Sequence, residues 1–149
     1  MRTRLIYGGK KAGRMLEEDI VKSAERGVSP VEGQKRFERY SESYTSAIKK
    51  GRYTGKKLRP VNLKITGDML KSIKSKVTTE GIEIEFTKTT KNGKNLAEIH
   101  SYEGAGKSKT IRMILPEEDG DYKKTIKERA RDHLIKITNE VLTKLFRRI

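Results

Sequence analysis

From Tyr122 onward, apolar residues recur at Ile126, Ala130, Leu134, Ile137, Val141 and Leu145. Spacings of three and four held over roughly six turns predict one long amphipathic helix, with Gly120-Asp121 at its start. A second helical stripe opens the chain. Leu16, Ile20 and Ala24 recur every fourth residue within 14–26, and Val21 widens the face. Glu17, Glu18 and Asp19 fall in its early turns, where the helix dipole favours anions. Gly27 and then Pro30 supply a stop. Phe37, Tyr40, Tyr44 and Ile48 also follow helical spacing, which predicts a helix within 34–50 although Ser41, Ser43, Thr45 and Ser46 form helices poorly. Thr66 is placed to cap a short helix containing Met69, Leu70 and Ile73.

Between these segments the period changes to two. Ile82, Ile84 and Phe86 alternate with Glu83 and Glu85, so the three apolar residues share one face of a strand. Val77 begins an earlier strand, which Glu80-Gly81 can turn back. Asn92-Gly93 is a second turn signal. Leu96–Tyr102 reads as either a strand or a short helix. Thr110–Leu115 reads as a strand with Ile111, Met113 and Leu115 on one face, ending at Pro116. Helices at both ends with strands between them predict an α+β fold. The organisation expected is a flexible basic arm over 1–13, broken by Gly8, Gly9 and Gly13, and a single domain over 14–149.

Composition changes this picture in one respect. The 149 residues suit one domain, but 33% are hydrophobic and 37% charged, so the core must be modest. There is no cysteine, which removes disulfides and thiolate metal sites. No apolar run approaches the roughly 20 residues of a membrane span, and the first residues lack the apolar stretch of a secretory signal. The net charge is +15, and its placement is uneven. Residues 1–14, 49–64, 87–96 and 104–114 contain no acid and carry 18 of the 35 bases. The other 17 bases face all 20 acids. Excess charge on an arm and on loops attracts a polyanion, either nucleic acid or an acidic protein surface. The candidate partner or subunit contacts are therefore Arg2, Arg4, Lys10 and Lys11 in the arm, Arg52, Lys56, Lys57 and Arg59 in the first loop, and Lys107, Lys109 and Arg112 in the last.

Catalytic signals fail one by one. Gly104-Ala105-Gly106-Lys107-Ser108 looks like part of a phosphate-binding loop, but Ser101 stands where the first glycine belongs and no helix pattern follows. His100 and His133 share no ligand spacing. Glu98 and Glu103 flank His100, a common arrangement, and no G-x-S-x-G elbow is present. Glu83 and Glu85 belong to the solvent face of their strand. Tyr40, Tyr44 and Tyr53 lie in or beside basic sequence, as stacking platforms for single strands do, but Tyr40 and Tyr44 share a stripe with Phe37 and Ile48, which favours core or subunit-interface residues. The expectation is a protein without catalytic, cofactor or metal site that binds macromolecules.

Three segments carry a family resemblance. They are Pro60-Val61-Asn62-Leu63-Lys64-Ile65-Thr66-Gly67-Asp68-Met69-Leu70-Lys71-Ser72-Ile73, then Ala97-Glu98-Ile99-His100-Ser101-Tyr102-Glu103-Gly104, then Ile111-Arg112-Met113-Ile114-Leu115-Pro116. Their order ahead of a C-terminal helix resembles the virion morphogenesis proteins of tailed bacteriophages, the neck and tail-completion components that join head to tail. The family often has R-P-F where this chain has Arg112-Met113-Ile114. The resemblance implies a small antiparallel sheet packed by helices, and no enzymatic activity. It implies a homo-oligomeric ring around the DNA channel, usually hexameric, with connector and tail proteins as neighbours. The place of action would be the virion, made in the host cytoplasm, with no membrane partner. The alternative that charge alone supports is a general nucleic-acid-binding domain using its basic loops.

Overall fold

Two long helices, α1 (Arg2–Glu25) and α5 (Lys124–Phe146), pack against each other along their lengths. The structure is a computed structural model that describes residues 2–53, 56–63 and 67–147, with the side chains of residues 2–4 outside the description. Residues 8 of α1 and 137 of α5 meet at one end, and 15–19 meet Arg129 at the other, so the pair is antiparallel. Arg129 ties the second end. Its guanidinium donates to the Asp19 carboxylate at 3.0 Å, the Glu18 carboxylate at 2.7 Å and the Met15 carbonyl at 3.1 Å.

Residues 2–13 are thus helical rather than a flexible arm, and the expected boundary between 13 and 14 disappears into α1. The reason lies in the glycines that read as breakers. A Cβ on Gly8 would sit 3.0 Å from Ile137 Cγ2, one on Gly9 3.1 Å from Val77 Cγ1, and one on Gly13 2.3 Å from Ser75 Oγ. Each glycine costs about 1 kcal/mol of helix propensity relative to alanine. In return the bare backbone of α1 lies directly on α5 and on the sheet.

That sheet has two antiparallel strands, β1 (Ile73–Val77) and β2 (Ile82–Phe86), in a register pairing Ile73 with Phe86 and Val77 with Ile82. The hairpin turns at Thr78–Gly81, where the Thr78 amide donates to the Gly81 carbonyl at 2.8 Å. Glu17 of α1 clamps β1, its carboxylate accepting from both the amide and the hydroxyl of Ser75. The fold is α+β, a two-stranded antiparallel sheet with several helices and a long C-terminal one. The core gathers Ile20 and Ala24 of α1, Phe37, Val61, Leu63, Met69, Leu70, Phe86, Ala97, Ile114 and Ile126.

Several local expectations change. Within 34–50 the helix is confined to α2 (Glu42–Lys49). Phe37 instead lies in the loop before α2, its amide donating to the Gly27 carbonyl at 2.9 Å, so its burial comes from a non-helical segment. The short helix α3 (Asp68–Lys71) holds Met69 and Leu70, but Ile73 starts β1, and Thr66 lies outside the described residues. Leu96–Tyr102 is helical: α4 (Leu96–Glu98) runs into a π-helical turn over Ile99–Glu103. Asn95 explains its start, since Oδ1 accepts from the amides of Ala97 and Glu98 while Nδ2 donates to the Phe86 carbonyl.

The segment 110–115 joins no strand ladder, and its buried face is the opposite of that expected. Arg112 and Ile114 are buried, whereas Ile111 is half exposed. Its backbone bonds to the π-helical turn instead of to a strand. The Arg112 amide donates to the His100 carbonyl at 2.8 Å, and Ser101 Oγ accepts from the amides of Ile114 and Leu115, each at 3.1 Å. Without a strand partner the alternation has no pleat to set its phase.

Candidate functional site: an aromatic and basic groove

Tyr44 lies on α2 and Tyr40 in the non-helical segment just before it, and the fold brings their rings together. Their centroids are 5.1 Å apart in an edge-to-face arrangement. Tyr53, on the loop leaving α2, adds a third ring 5.0 Å from Tyr44 and tilted by 38°. These rings form one wall of a groove of about 720 Å³. His100 of the π-helical turn, the turn over 105–108, Met69 and Leu96 also line it.

Arg112 and Lys56 place two cations against this wall. The Arg112 guanidinium carbon lies 5.0 Å from the Tyr40 ring centre, within cation–π range. Its nitrogens donate to the carbonyls of Glu38 and Arg39, each at 3.2 Å. Lys56 donates to the Tyr40 hydroxyl at 3.1 Å and sits 5.0 Å from the same ring centre. Among the described residues no carboxylate comes within ion-pair distance of either cation. The acid among the described residues lining the groove, Asp68, faces Lys88 at 3.8 Å.

The titratable groups record this surplus of positive charge. Burial, followed by the Arg112 charge, brings Lys56 down to about 8. Burial, followed by the charges of Lys56 and Arg112, brings His100 down to about 4, so its imidazole is neutral at pH 7. Burial raises the Tyr40 phenol to about 12 against a smaller opposing effect of Arg112. His100 Nδ1 is buried and has no hydrogen-bond partner among the described residues.

Of the eleven basic residues picked from sequence, the groove brings together Arg52, Lys56, Lys107 and Arg112. Arg112 is a correction. It is only 5% exposed, a buried base that holds two carbonyls rather than a surface contact. Lys56 is half-buried. Lys57, Arg59 and Lys109 are exposed and do not line the groove, and Lys10 and Lys11 are exposed on α1. The side chains of Arg2 and Arg4 lie outside the described residues. Lys88, which also lines the groove, was missed, because its acid-free stretch reads only as a turn.

The turn over 104–110 is closed by a bridge between Ala105 and Thr110. Gly104 has φ +77°, and a Cβ there would lie 2.1 Å from the Lys109 carbonyl oxygen. Glycine is therefore required by backbone crowding, and no helix follows Lys107-Ser108 to receive a phosphate at its N-terminus. Ser101, adjacent to His100, is fully buried with its hydroxyl committed to the Ile114 and Leu115 amides. His100 makes no side-chain bond to a serine or carboxylate among the described residues. No group of His, Asp and Glu among them is placed to hold a metal ion, and none of their helices is long and apolar enough to cross a membrane. The arrangement offers aromatic faces and positive charge, which is the chemistry of binding.

No protein-family model matches the chain, and neither does any curated protein or solved structure.

Proposed function

We propose that the chain is a structural subunit of a phage neck, a ring component that joins head to tail around the DNA channel. The observation that carries this reading is the apolar end of the α1–α5 pair. Leu5, Ile6 and Tyr7 on α1 are exposed at the end where α5 presents Leu142 and Phe146, also exposed. Tyr7 and Phe146 are 72% and 74% exposed. Apolar residues gathered at one end of a highly charged chain suit burial against another protein. In a ring each such heterologous contact is repeated around the axis, so modest contacts add up.

The resemblance adds support, because its three segments are neighbours in space. Val61, Leu63, Met69, Leu70, Ala97 and Ile114 share the core. The test is the mass of the purified chain in solution, alone and as Tyr7→Asp and Phe146→Asp variants. A discrete multiple of the subunit that dissociates in the variants supports the ring.

The second reading, a general nucleic-acid-binding domain, is favoured by the groove. A chain that stays monomeric at all concentrations and binds DNA with a steep loss in rising salt would favour that reading over the ring.

A further inference from the structure

Three sequence features that read separately, the tyrosines, the basic loop after α2 and the glycine-rich turn at 104–108, converge on one groove. We propose that this groove binds single-stranded nucleic acid, with bases stacked on Tyr44 and Tyr53 and a backbone phosphate held by Lys56, Arg52 and Lys107. The groove has the same chemistry in a ring subunit and in a free domain.

The case begins with charge. Arg112 is buried and Lys56 half-buried beside it, with no carboxylate within ion-pair distance of either among the described residues; Glu38 acts on Arg112 only as a more distant charge. The mutual repulsion of the two cations is a standing cost that a bound anion would relieve. Arg112 is locked onto two carbonyls, so it acts as a fixed charge behind Tyr40, while Lys56, Arg52 and Lys107 are the bases with access to a ligand.

The rings decide the kind of anion. An acidic peptide would use the bases and leave the rings of Tyr44 and Tyr53 without a role. A duplex keeps its base faces stacked and offers none to the rings. A single strand presents both phosphates and open base faces, and aromatic stacking tolerates any base. The volume, about 720 Å³, lies within the usual range for ligand pockets. The lowered Lys56 adds a signature. Phosphate binding favours its ammonium form, so affinity should fall as pH rises through about 8.

The experiment is fluorescence anisotropy of a labelled oligothymidylate of about twelve nucleotides with the full chain at low salt. Tyr44→Ala and Tyr53→Ala should each weaken binding about tenfold, and Arg131→Gln, exposed on α5 away from the groove, should leave it unchanged. An abasic oligomer of equal length, carrying the same phosphates, should bind the wild type about tenfold more weakly. Melting curves check the variants; if one ring variant is misfolded, the other and the abasic comparison still decide. Equal affinity for the abasic oligomer, no effect of either folded ring variant, or no binding would overturn the proposal. Equally strong competition by polyglutamate of matched charge would also overturn it and assign the groove to an acidic peptide.

Discussion

The guanidinium of Arg112 lies under the ring of Tyr40 while its nitrogens hold the carbonyls of Glu38 and Arg39, so one buried base fixes the backbone leading into α2. Two effects oppose each other on its removal. The carbonyls lose charge-assisted donors, roughly 1–3 kcal/mol, and a buried charge disappears, which recovers part of that. Arg112→Met is expected to lower stability by about 1–2 kcal/mol in denaturant unfolding. It should also raise the His100 pKa, because one of its depressing charges is gone. Arg112→Lys keeps the charge but lacks the fork, so it should lower stability without moving His100. NMR titration of the imidazole separates the two variants.

The neutral His100 predicts an acid limb of stability. Its folded pKa of about 4 lies below the ordinary value of 6.5. As pH falls below about 6.5 the unfolded chain takes up a proton that the folded chain refuses, until about pH 4. Stability is therefore lost across that window and levels off below it, by about 3 kcal/mol at most. His100→Gln should flatten this part of the curve. Identical pH dependence in the variant would show that the imidazole titrates normally in the folded state.

Gly13 separates the helix from the arm expected of the sequence. Alanine in a solvated helix or arm is neutral or gains up to about 1 kcal/mol. Here its Cβ would meet the Ser75 Oγ at 2.3 Å and Cβ at 2.8 Å, and the Ser75 hydroxyl is committed to Glu17. Gly13→Ala should destabilise by about 1–3 kcal/mol, measured as a shift in the denaturant midpoint. A stabilised variant would mean that α1 does not lie on β1.

Lys57 and Arg59 are exposed and apart from the groove, so neutralising both should leave the melting temperature nearly unchanged. Lys56 belongs to a different class despite its place in the same run. Lys56→Gln removes a half-buried charge and a donor to Tyr40, and should raise the His100 pKa, which Lys57→Gln should leave alone.

What could be read from sequence follows from how local the cause is. The long C-terminal helix and the strand Ile82–Phe86 were legible because their periods depend on one contact face each. The arm was misread because a glycine needed for close packing looks the same in sequence as one that ends a helix. The phase of 110–115 was misread because Arg112 is buried by carbonyls 73 and 74 residues away. The groove was half legible. The i, i+4 tyrosines and the bases were visible, but His100 and the 104–108 turn reach them only through the fold. Asn95 carries a legible signal of its own, a cap residue directly before Leu96-Ala97-Glu98.

The ring reading meets its most direct test in a cryo-EM reconstruction of the head–tail junction of particles that incorporate this chain. The account predicts a closed ring of identical subunits, each fitted by the α1–α5 pair, with Leu5, Ile6, Tyr7, Leu142 and Phe146 buried against a neighbour. A junction whose density is fully accounted for by other chains, or one in which this pair stands with its apolar end in solvent, would contradict it.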